Sequence, residues 1–433
     1  MPVNGPLDLI IIGGGIGGVT GLHYAKKAGL NVLLLEKQSV AGGLWSQLPA
    51  WQDIQINPLD WTLGDIPITG AHQAGIAQNI QAWVDKFDLA PWMRFDSPVT
   101  LAKETESGWM VETQRQTYCA KYVLCATGGH NRAFIPPTER ASPAVREYHS
   151  SALRDPTELR GQRVVVVGGG ASAYDLLELC FEHQAQHIAW VYRTLKWMVP
   201  TRKPKHVAGD IRGLAKQQMQ GLSVEDINRV VNLDLRGRYE KFGLLEILPS
   251  GPSGPFDFSR DQLIPGRRGM IENFSQIERH RGEIARISGN TVHFSLGGQS
   301  DADVVLWGTG YGLDLGYFDS PPLAAISRVD ELVKRCGGLF KSLDARNLFF
   351  LAVALESTGS APWSYAHACR SIVSHIQGKA HLDEVPVAGK VNHFDLAKFL
   401  AERDPENYPP DSWFSVYRDI ALNHPDGVPM PIP

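Results

Sequence analysis

The stretch from residue 7 to residue 36 constrains the fold most strongly, and it reads LDLIIIGGGIGGVTGLHYAKKAGLNVLLLE. It begins with an apolar run of strand type, Leu7–Ile12, and continues as a helix-like segment that ends at Ala28. A second apolar run, Val32–Leu35, follows the break at Gly29. A strand, a helix and a second strand in this order predict a βαβ unit.

Three glycines between the first strand and the helix have the G-x-G-x-x-G spacing of a dinucleotide fingerprint. Gly13 permits the tight turn, Gly15 lets the backbone approach a pyrophosphate, and Gly18 lets the helix pack closely against the strand. The helix N-terminus offers free N–H groups and a partial positive charge to the phosphates. Glu36 lies 23 residues after Gly13, where an acid can bind ribose hydroxyls. We therefore predict nucleotide binding. The simpler alternative is a glycine-rich turn before a buried helix.

Composition and charge argue against several functional classes. A length of 433 residues suggests two or more domains. The net charge of −4 gives no support for nucleic acid or an anionic membrane as partner. The five cysteines form no CxxC pair and no zinc spacing, so we expect no metal site and reduced thiols in a cytoplasm. No apolar run approaches the ~20 residues of a spanning helix, and the first run lacks a signal peptide's basic segment.

The region after the first unit contains a second pair of glycines. Residues 41–45 read AGGLW, which suits a loop that closes over a cofactor, although an ordinary turn with a core tryptophan fits equally well. Asn57 precedes Pro58, so it should be extended, and the simpler alternative to a role at the cofactor is an asparagine that caps the turn before Pro58. Residues 71–87 are predicted as an amphipathic helix.

Three alternating segments then predict a meander of short strands, over residues 99–104, 108–113 and 116–119. A separate apolar strand over 122–126 ends in Thr127-Gly128-Gly129. Residues 130–160 are rich in proline and polar side chains, and we interpret them as a connection between domains.

A second βαβ unit begins at Arg163–Val167 and continues through a helix over Ala171–Glu182 to a strand over 188–192. Its glycine loop has the spacing G-x-G-x-x-A, an accepted variant of the fingerprint. Arg193 stands where the first unit has Glu36. An arginine attracts a ribose 2′-phosphate that an acid would repel. We therefore predict that the first site binds a nucleotide with free ribose hydroxyls and that the second binds NADP. The alternative for Arg193 is a solvated surface charge.

The rest of the chain repeats part of this pattern. Residues 195–280 are less regular and are expected to cover a substrate or cofactor entrance. A second meander includes 284–287 and 291–294, and the strand over 303–307 ends in GTGY, as the earlier strand ends in TGG. A strand over 347–354 and a helix over 366–377 would close the first domain. The predicted fold is α/β with two Rossmann-like dinucleotide-binding domains. The NADP domain (156–300) is inserted into the FAD domain (1–155 and 301–433).

Six motifs resemble the flavin-containing monooxygenases and the related Baeyer–Villiger and bacterial N- or S-oxygenating enzymes. These motifs, within residues 7–380, are GGGIGG with Glu36, AGGLW, CATGG, GGGASAYD, VYRT and WGTGY. The resemblance implies FAD and NADPH as cofactors. It implies these cofactor-binding residues: Gly13, Gly15, Ile16, Gly17, Gly18, Glu36, Lys37, Gly43, Leu44, Trp45, Asn57, Ala126, Thr127, Gly128, Gly168, Gly170, Ala171, Ser172, Ala173, Arg193, Thr194, Gly310 and Tyr311.

The activity that the resemblance implies is oxygen insertion. One atom of O2 would enter a small organic substrate at a nitrogen or sulfur centre through a flavin hydroperoxide, with Asn57 as the catalytic residue. The hallmark F-x-G-x-x-x-H motif of the branch is degenerate, and only His149 survives. This departure argues against the standard Baeyer–Villiger group, and Baeyer–Villiger oxidation of a ketone is the alternative activity. A flavoprotein reductase would need a cysteine pair after the first unit, where Ser46 and Gln47 stand. A non-catalytic NADPH sensor is a third hypothesis, and a homodimer is left open.

Overall fold

The structure is a computed structural model that describes residues 6–52, 66, 68–70, 72–200, 224–249, 254–257, 261, 263–337, 341–351, 355–356, 361–379 and 391–392. The predicted catalytic residue Asn57 lies outside the described residues. The last three residues of the strand predicted over 347–354, and residues 201–223 of the irregular region, also lie outside them.

The described residues contain short and long strands that we number in chain order. They are β1 (Leu7–Ile12), β2 (Val32–Leu35), β3 (Met93–Arg94), β4 (Val99–Thr105), β5 (Gly108–Thr113), β6 (Thr117–Cys125), β7 (Arg132–Ala133), β8 (Glu139–Ala141), β9 (Arg146–His149), β10 (Arg163–Val167), β11 (His187–Tyr192), β12 (Met198–Val199), β13 (Ile264–Pro265), β14 (Glu278–Arg281), β15 (Ile284–Ser288), β16 (Thr291–Phe294), β17 (Gln299–Asp301), β18 (Val304–Trp307), β19 (Tyr311–Gly312), β20 (Leu348–Phe350), β21 (Leu355–Glu356) and β22 (Val391–Asn392).

The α-helices of the same residues are α1 (Ile16–Lys27), α2 (Gln73–Lys86), α3 (Ala171–Glu182), α4 (Val224–Lys241), α5 (Arg268–Glu272), α6 (Pro321–Ala324), α7 (Val329–Val333) and α8 (Ala361–Ile376). Short 3₁₀ helices lie at Gly43–Ser46, Ala90–Trp92, Pro156–Leu159, Leu245–Ile247 and Phe274–Gln276. The helix predicted over 71–87 is α2, and His72 caps it by accepting a hydrogen bond from the Gly75 N–H at 3.0 Å.

The chain divides into two compact units, and each contains a sheet with a core of parallel strands. The first contains Met1–Gln47, Pro58–Arg132 and Gly312–Pro433, and the second contains Leu48–Asn57 and Ala133–Tyr311. This arrangement confirms the predicted fold class, in which one Rossmann-like unit is inserted into another. The division differs from the predicted limits at 156 and 300. Strands β9 and β18 hydrogen-bond to each other in the main sheet of the second unit, so their residues belong to that unit.

The sheet of the first unit has the strand order β3-β2-β1-β6-β5-β4, with β20 also paired to β6. Strand β1 is parallel to both β2 and β6, as a βαβ unit requires. The two strands predicted over 116–119 and 122–126 are one continuous strand, β6. Its N-terminal half pairs antiparallel with β5 and its C-terminal part pairs with β1, so no turn separates them.

The main sheet of the second unit has the order β14-β11-β10-β18-β9, and every pair is parallel. A second sheet has the order β17-β16-β15-β8 and contains the predicted meander. The prediction that residues 130–160 are only a connection was wrong, because β8 and β9 lie in this region. These short strands lack an apolar run, and backbone hydrogen bonds to distant partners define them instead.

The central strand β10 is buried on both faces, which explains its uninterrupted run of valines. Val164 and Val166 belong to the hydrophobic cluster that includes α3, whereas Val165 and Val167 belong to the cluster that includes β15 and β16. Full burial of each valine side chain contributes about 1.5–3 kcal/mol to the free energy of unfolding. The strand is therefore held by packing on both sides.

In the first unit, helix α1 lies close to the sheet and to α8 because it contains glycines. A Cβ atom at Gly21 would lie 2.9 Å from Leu124 Cδ2 and 3.6 Å from Cys369 Sγ. The Cys369 thiol donates to the Gly17 carbonyl oxygen at 3.7 Å. Helix α8 is longer than the helix predicted over 366–377 and begins at Ala361. Within the described part of the chain, no helix has the length and apolar character needed to cross a membrane.

Candidate dinucleotide-binding sites

The first glycine loop connects β1 to α1, and two of its glycines are required by backbone contacts. Gly13 has φ +109°, and a Cβ atom there would lie 2.6 Å from the Ala126 carbonyl oxygen. A Cβ atom at Gly18 would lie 1.8 Å from the Gly13 carbonyl oxygen. These contacts are too short for any side chain, so the start of the helix can lie against the strand only with glycine at both positions.

The AGGLW segment folds against this loop. The Gly42 N–H donates to the Gly14 carbonyl oxygen at 3.0 Å, and a Cβ atom at Gly43 would lie 2.8 Å from Gly15 Cα. Gly43 begins the short helix that contains Leu44 and Trp45, both half-buried. The structure thus brings together two glycine pairs that are 28 residues apart in sequence. Together they leave a cradle of bare backbone next to the N-terminus of α1.

Glu36 lies at the carboxyl end of β2 and is only 3% exposed. Its Oε2 accepts a hydrogen bond from the Gly14 N–H, and its Oε1 accepts one from the Gln38 N–H at 2.7 Å. These backbone donors fix the carboxylate beside the glycine loop. Lys37, which was predicted with it, is exposed. Ile16 and Gly17 are buried in the first turn of α1.

Residues 126–128 form another part of the first site because β6 runs parallel to β1. The Ala126 N–H donates to the Ile12 carbonyl oxygen at 2.8 Å, and Thr127 and Gly128 follow at the carboxyl end of the sheet. Beneath them Cys125 Sγ lies 3.1 Å from the Tyr317 hydroxyl and 3.4 Å from Thr127 Oγ1. Burial raises the pKa of the Cys125 thiol, so this cysteine is not a reactive thiolate.

The second glycine loop connects β10 to α3, and here too the start of the helix lies against the ends of the strands, with other residues at the close contacts. Gly168 has φ +126°, and a Cβ atom there would lie 2.2 Å from the Gly308 carbonyl oxygen. A Cβ atom at Gly308 would lie 2.7 Å from Ala173 Cα. The close approach therefore requires glycine at 308 and tolerates alanine at 173. Gly308 was not among the predicted site residues, although its position at the end of β18 repeats the TGG signal.

Gly169 is a second residue that sequence reasoning missed. A Cβ atom there would lie 1.9 Å from the Thr194 carbonyl oxygen, and the Lys196 N–H donates to the Gly169 carbonyl oxygen at 2.7 Å. The segment after β11 is thereby held against the glycine loop. Gly170 caps α3, and Ala171 and Ser172 form its first turn, where Ala171 is exposed and Ser172 half-buried.

Helix α3 is anchored by buried polar contacts away from its N-terminus. Asp175 accepts a hydrogen bond from Arg267 Nε at 2.6 Å, and both side chains are almost fully buried. Glu178 accepts hydrogen bonds from the Gly269 and Met270 N–H groups at 3.0 and 2.8 Å. Separating Arg267 from Asp175 would leave a buried charge without a partner, which is strongly unfavourable. The ion pair therefore holds the start of α5 against α3.

Arg193 lies directly after β11 and is 69% exposed, as a ligand-binding cation at this edge should be. Its Nη1 lies 3.0 Å from Glu283 Oε1, a partner that the sequence did not predict. Thr194 follows it and is also exposed. Both residues lie at the carboxyl ends of the parallel strands, the edge at which open α/β sheets bind their ligands.

Gly310 and Tyr311 follow β18 and belong to the second unit, whereas the prediction placed them in the FAD domain. His149 lies at the end of β9. Its Nε2 is 2.9 Å from the Gly310 carbonyl oxygen, and its Nδ1 is 2.8 Å from Ser151 Oγ. Burial lowers the pKa of His149, so its imidazole is neutral near pH 7. With both ring nitrogens engaged, His149 is a structural link within this unit.

These two sites, each a glycine loop at the carboxyl ends of parallel strands, define a protein with two dinucleotide-binding units. The profile of the pyridine nucleotide-disulphide oxidoreductase family matches residues 10–236. The chain belongs to this family.

Three relatives that the chain resembles are named as monooxygenases. The chain is 30% identical over 219 residues to the FAD-binding monooxygenase VdtE of Byssochlamys spectabilis, covering 46% of this chain and 38% of the relative. It is 29% identical to a Baeyer–Villiger monooxygenase of Streptomyces coelicolor, covering 49% and 42%. It is 22% identical to flavin-containing monooxygenase 5 of Mus musculus, covering 78% and 67%. The predicted resemblance is therefore confirmed, and the match spans about two fifths of the first two relatives.

A solved structure shows the same fold. The OTEMO complex with FAD and NADP superposes with a TM-score of 0.65 at 15% identity, covering 92% of this chain and 88% of that one. At this identity the likeness concerns the fold.

Proposed function

We propose that this protein is an FAD- and NADPH-dependent monooxygenase. It inserts one oxygen atom from O2 into a small organic substrate at a nitrogen or sulfur centre. The observation that carries the proposal is the contrast between two otherwise similar glycine cradles, one beside the buried carboxylate of Glu36 and one beside the exposed guanidinium of Arg193. The relatives named as monooxygenases, and a neighbouring structure with FAD and NADP, support the same cofactors.

The first unit suits FAD. Gly15 and Gly43 pack against each other without side chains, which leaves the surface beside them open to a pyrophosphate, and the N-terminus of α1 stabilises its charge. Glu36 accepts hydrogen bonds from ribose hydroxyls. Leu44, Trp45, Thr127 and Gly128 complete the proposed contacts. FAD, when bound, supplies the hydride-accepting and oxygen-activating chemistry, while the protein supplies binding, orientation and exclusion of water.

The second unit suits NADPH. Gly170 leaves room for the pyrophosphate at the N-terminus of α3, and Ser172 lies in the first turn. Arg193 and Thr194 bind the 2′-phosphate. Gly168, Ala171 and Ala173 shape the loop, and Gly310 and Tyr311 line the same edge. Asn57 is kept as the proposed catalytic residue, which donates a hydrogen bond near the flavin.

A disulfide reductase on the same scaffold is disfavoured by the state of its thiols. Among the described residues, Cys125, Cys180, Cys336 and Cys369 are buried, free, and have pKa values raised by burial, to about 12 for Cys336. Cys119 is free and exposed, but a redox pair needs a second accessible thiol, and the other four thiols are buried. Redox-active cysteines need accessible thiolates. Baeyer–Villiger oxidation remains the second candidate because one relative carries that name. The free cysteines also agree with the proposed cytoplasmic location.

The proposal is tested by identifying the released flavin and by measuring turnover. Chromatography should yield FAD, and FMN would overturn the assignment of the first site. NADPH consumption in the presence of O2 should then be followed with amines, sulfides and ketones, with products identified by mass spectrometry. Oxygenated amines or sulfides support the proposal, and esters from ketones alone support the Baeyer–Villiger alternative. Reduction of a disulfide or an electron carrier without oxygenated product would favour a reductase, and binding without turnover would favour a sensor.

A further inference from the structure

Glu283 lies next to Arg193 because of the backbone, not only because of the side-chain ion pair. Strand β14 runs parallel to β11 with Tyr192 opposite Arg281, and the Gly282 N–H donates to the Tyr192 carbonyl oxygen at 3.0 Å. The turn between β14 and β15 therefore places Glu283 beside the end of β11, where Arg193 follows.

The same turn is fixed from its other side by Ser295. The Glu283 N–H donates to Ser295 Oγ at 3.0 Å, and the Ser295 N–H donates to the Glu283 carbonyl oxygen at 2.9 Å. Gly282 has φ +109°, and a Cβ atom there would lie 2.5 Å from Ser295 Oγ. The position of the Glu283 backbone is thus determined by the hairpin and does not depend on Arg193.

We propose that Glu283 is a specificity-determining residue that reduces the preference of the second site for NADPH over NADH. This inference rests on the proposed binding of NADPH by the second unit. Glu283 orients Arg193 when no 2′-phosphate is present, and it competes with that phosphate for the guanidinium. The same carboxylate is a suitable acceptor for the free 2′-hydroxyl of NADH.

The ion pair between Arg193 and Glu283 is weak enough for a 2′-phosphate to replace Glu283. Arg193 and Glu283 are 69% and 50% exposed, and exposed pairs are weak because solvent screens them. A phosphate carries a larger charge and accepts hydrogen bonds from a guanidinium in a bidentate manner. Arg193 can therefore exchange Glu283 for a 2′-phosphate. The carboxylate remains nearby and repels the phosphate, an effect that salt screens.

The test is equilibrium binding of NADP⁺ and NAD⁺ to the purified flavoprotein by calorimetry, for the natural chain and for Glu283→Gln. The substitution keeps the size of the side chain and removes its charge. We expect NADP⁺ to bind about two- to fivefold more tightly, as loss of a weak surface pair predicts. NAD⁺ affinity should stay the same or fall. The gain for NADP⁺ should shrink at high salt.

Glu139→Gln is the matched control, because Glu139 forms an exposed pair with Arg286 at 3.6 Å in the same unit. It removes the same charge and should leave the ratio of the two affinities unchanged. An unchanged ratio in Glu283→Gln, or an equal shift in both variants, would overturn the inference while the proposed function stands. A natural chain that binds neither nucleotide, or prefers NAD⁺, would overturn the NADPH assignment and this inference with it. Melting temperatures identify any variant that has lost its fold.

Discussion

Gly169→Ala should damage the second site through the backbone alone. The added Cβ atom would lie 1.9 Å from the Thr194 carbonyl oxygen, and real Cβ contacts are not found below 3.0 Å. The glycine loop and the segment that carries Arg193 and Thr194 must therefore move apart by at least 1.1 Å (3.0 − 1.9). Overpacking of this kind costs about 1–3 kcal/mol of stability. A shift above 1 Å also exceeds the ~0.5 Å range of good hydrogen-bond distances.

We expect NADP⁺ binding by Gly169→Ala to weaken by at least about tenfold, which corresponds to the loss of one charge-assisted contact of ~1.5–3 kcal/mol. Calorimetric titration with NADP⁺ measures this change, and flavin absorbance should show that FAD in the first unit is retained. Thermal melting gives the accompanying loss of stability. NADP⁺ affinity and melting temperature equal to those of the natural chain would refute the packing argument.

Two other glycine substitutions serve as controls in the same unit. Gly237 lies within α4 with nothing within 4 Å of an added Cβ, so Gly237→Ala should stabilise by about 0.5–1 kcal/mol. At Gly170 the nearest atom to an added Cβ is Lys196 Cγ at 3.7 Å, an ordinary contact. Gly170→Ala should therefore fold normally. It should nevertheless bind both NADP⁺ and NAD⁺ more weakly than the natural chain, because the methyl group occupies the space of the pyrophosphate.

The remaining predictions concern charge and the flavin. Arg193→Ala should weaken NADPH about 10–150-fold and spare NADH, whereas Lys196→Ala should weaken both in binding titrations, because Lys196 lies beside the helix N-terminus. Asn57→Ala should consume NADPH yet release hydrogen peroxide in place of product; an unchanged peroxide-to-product ratio would remove Asn57 from the site. Hydrogen bonds from Arg163 lower the pKa of Asp303 to about 2. The stability from this half-buried pair is present above about pH 4 and lost towards pH 2, so the melting temperature of Asp303→Asn should depend less on pH in this range.

Local patterns determined both βαβ units. Apolar runs, glycine spacing and the charged residue after the second strand predicted β1, α1 and β2, and again β10, α3 and β11. These features depend on neighbours in the chain, and a glycine required at a tight turn leaves a direct signal in the sequence. Glu36 and Arg193 were predicted as site residues in the same way, because each directly follows a buried strand.

Tertiary structure decided the contacts between segments far apart in the chain. The approach of Gly43 to Gly15, the close packing of Gly308 against α3, and the pairing of Arg193 with Glu283 all depend on which strands become neighbours. Strand β9 likewise owes its existence to hydrogen bonds with β18. Every residue except proline has both a backbone N–H and a backbone C=O group. Backbone hydrogen bonds between strands therefore leave no side-chain pattern from which they could be predicted.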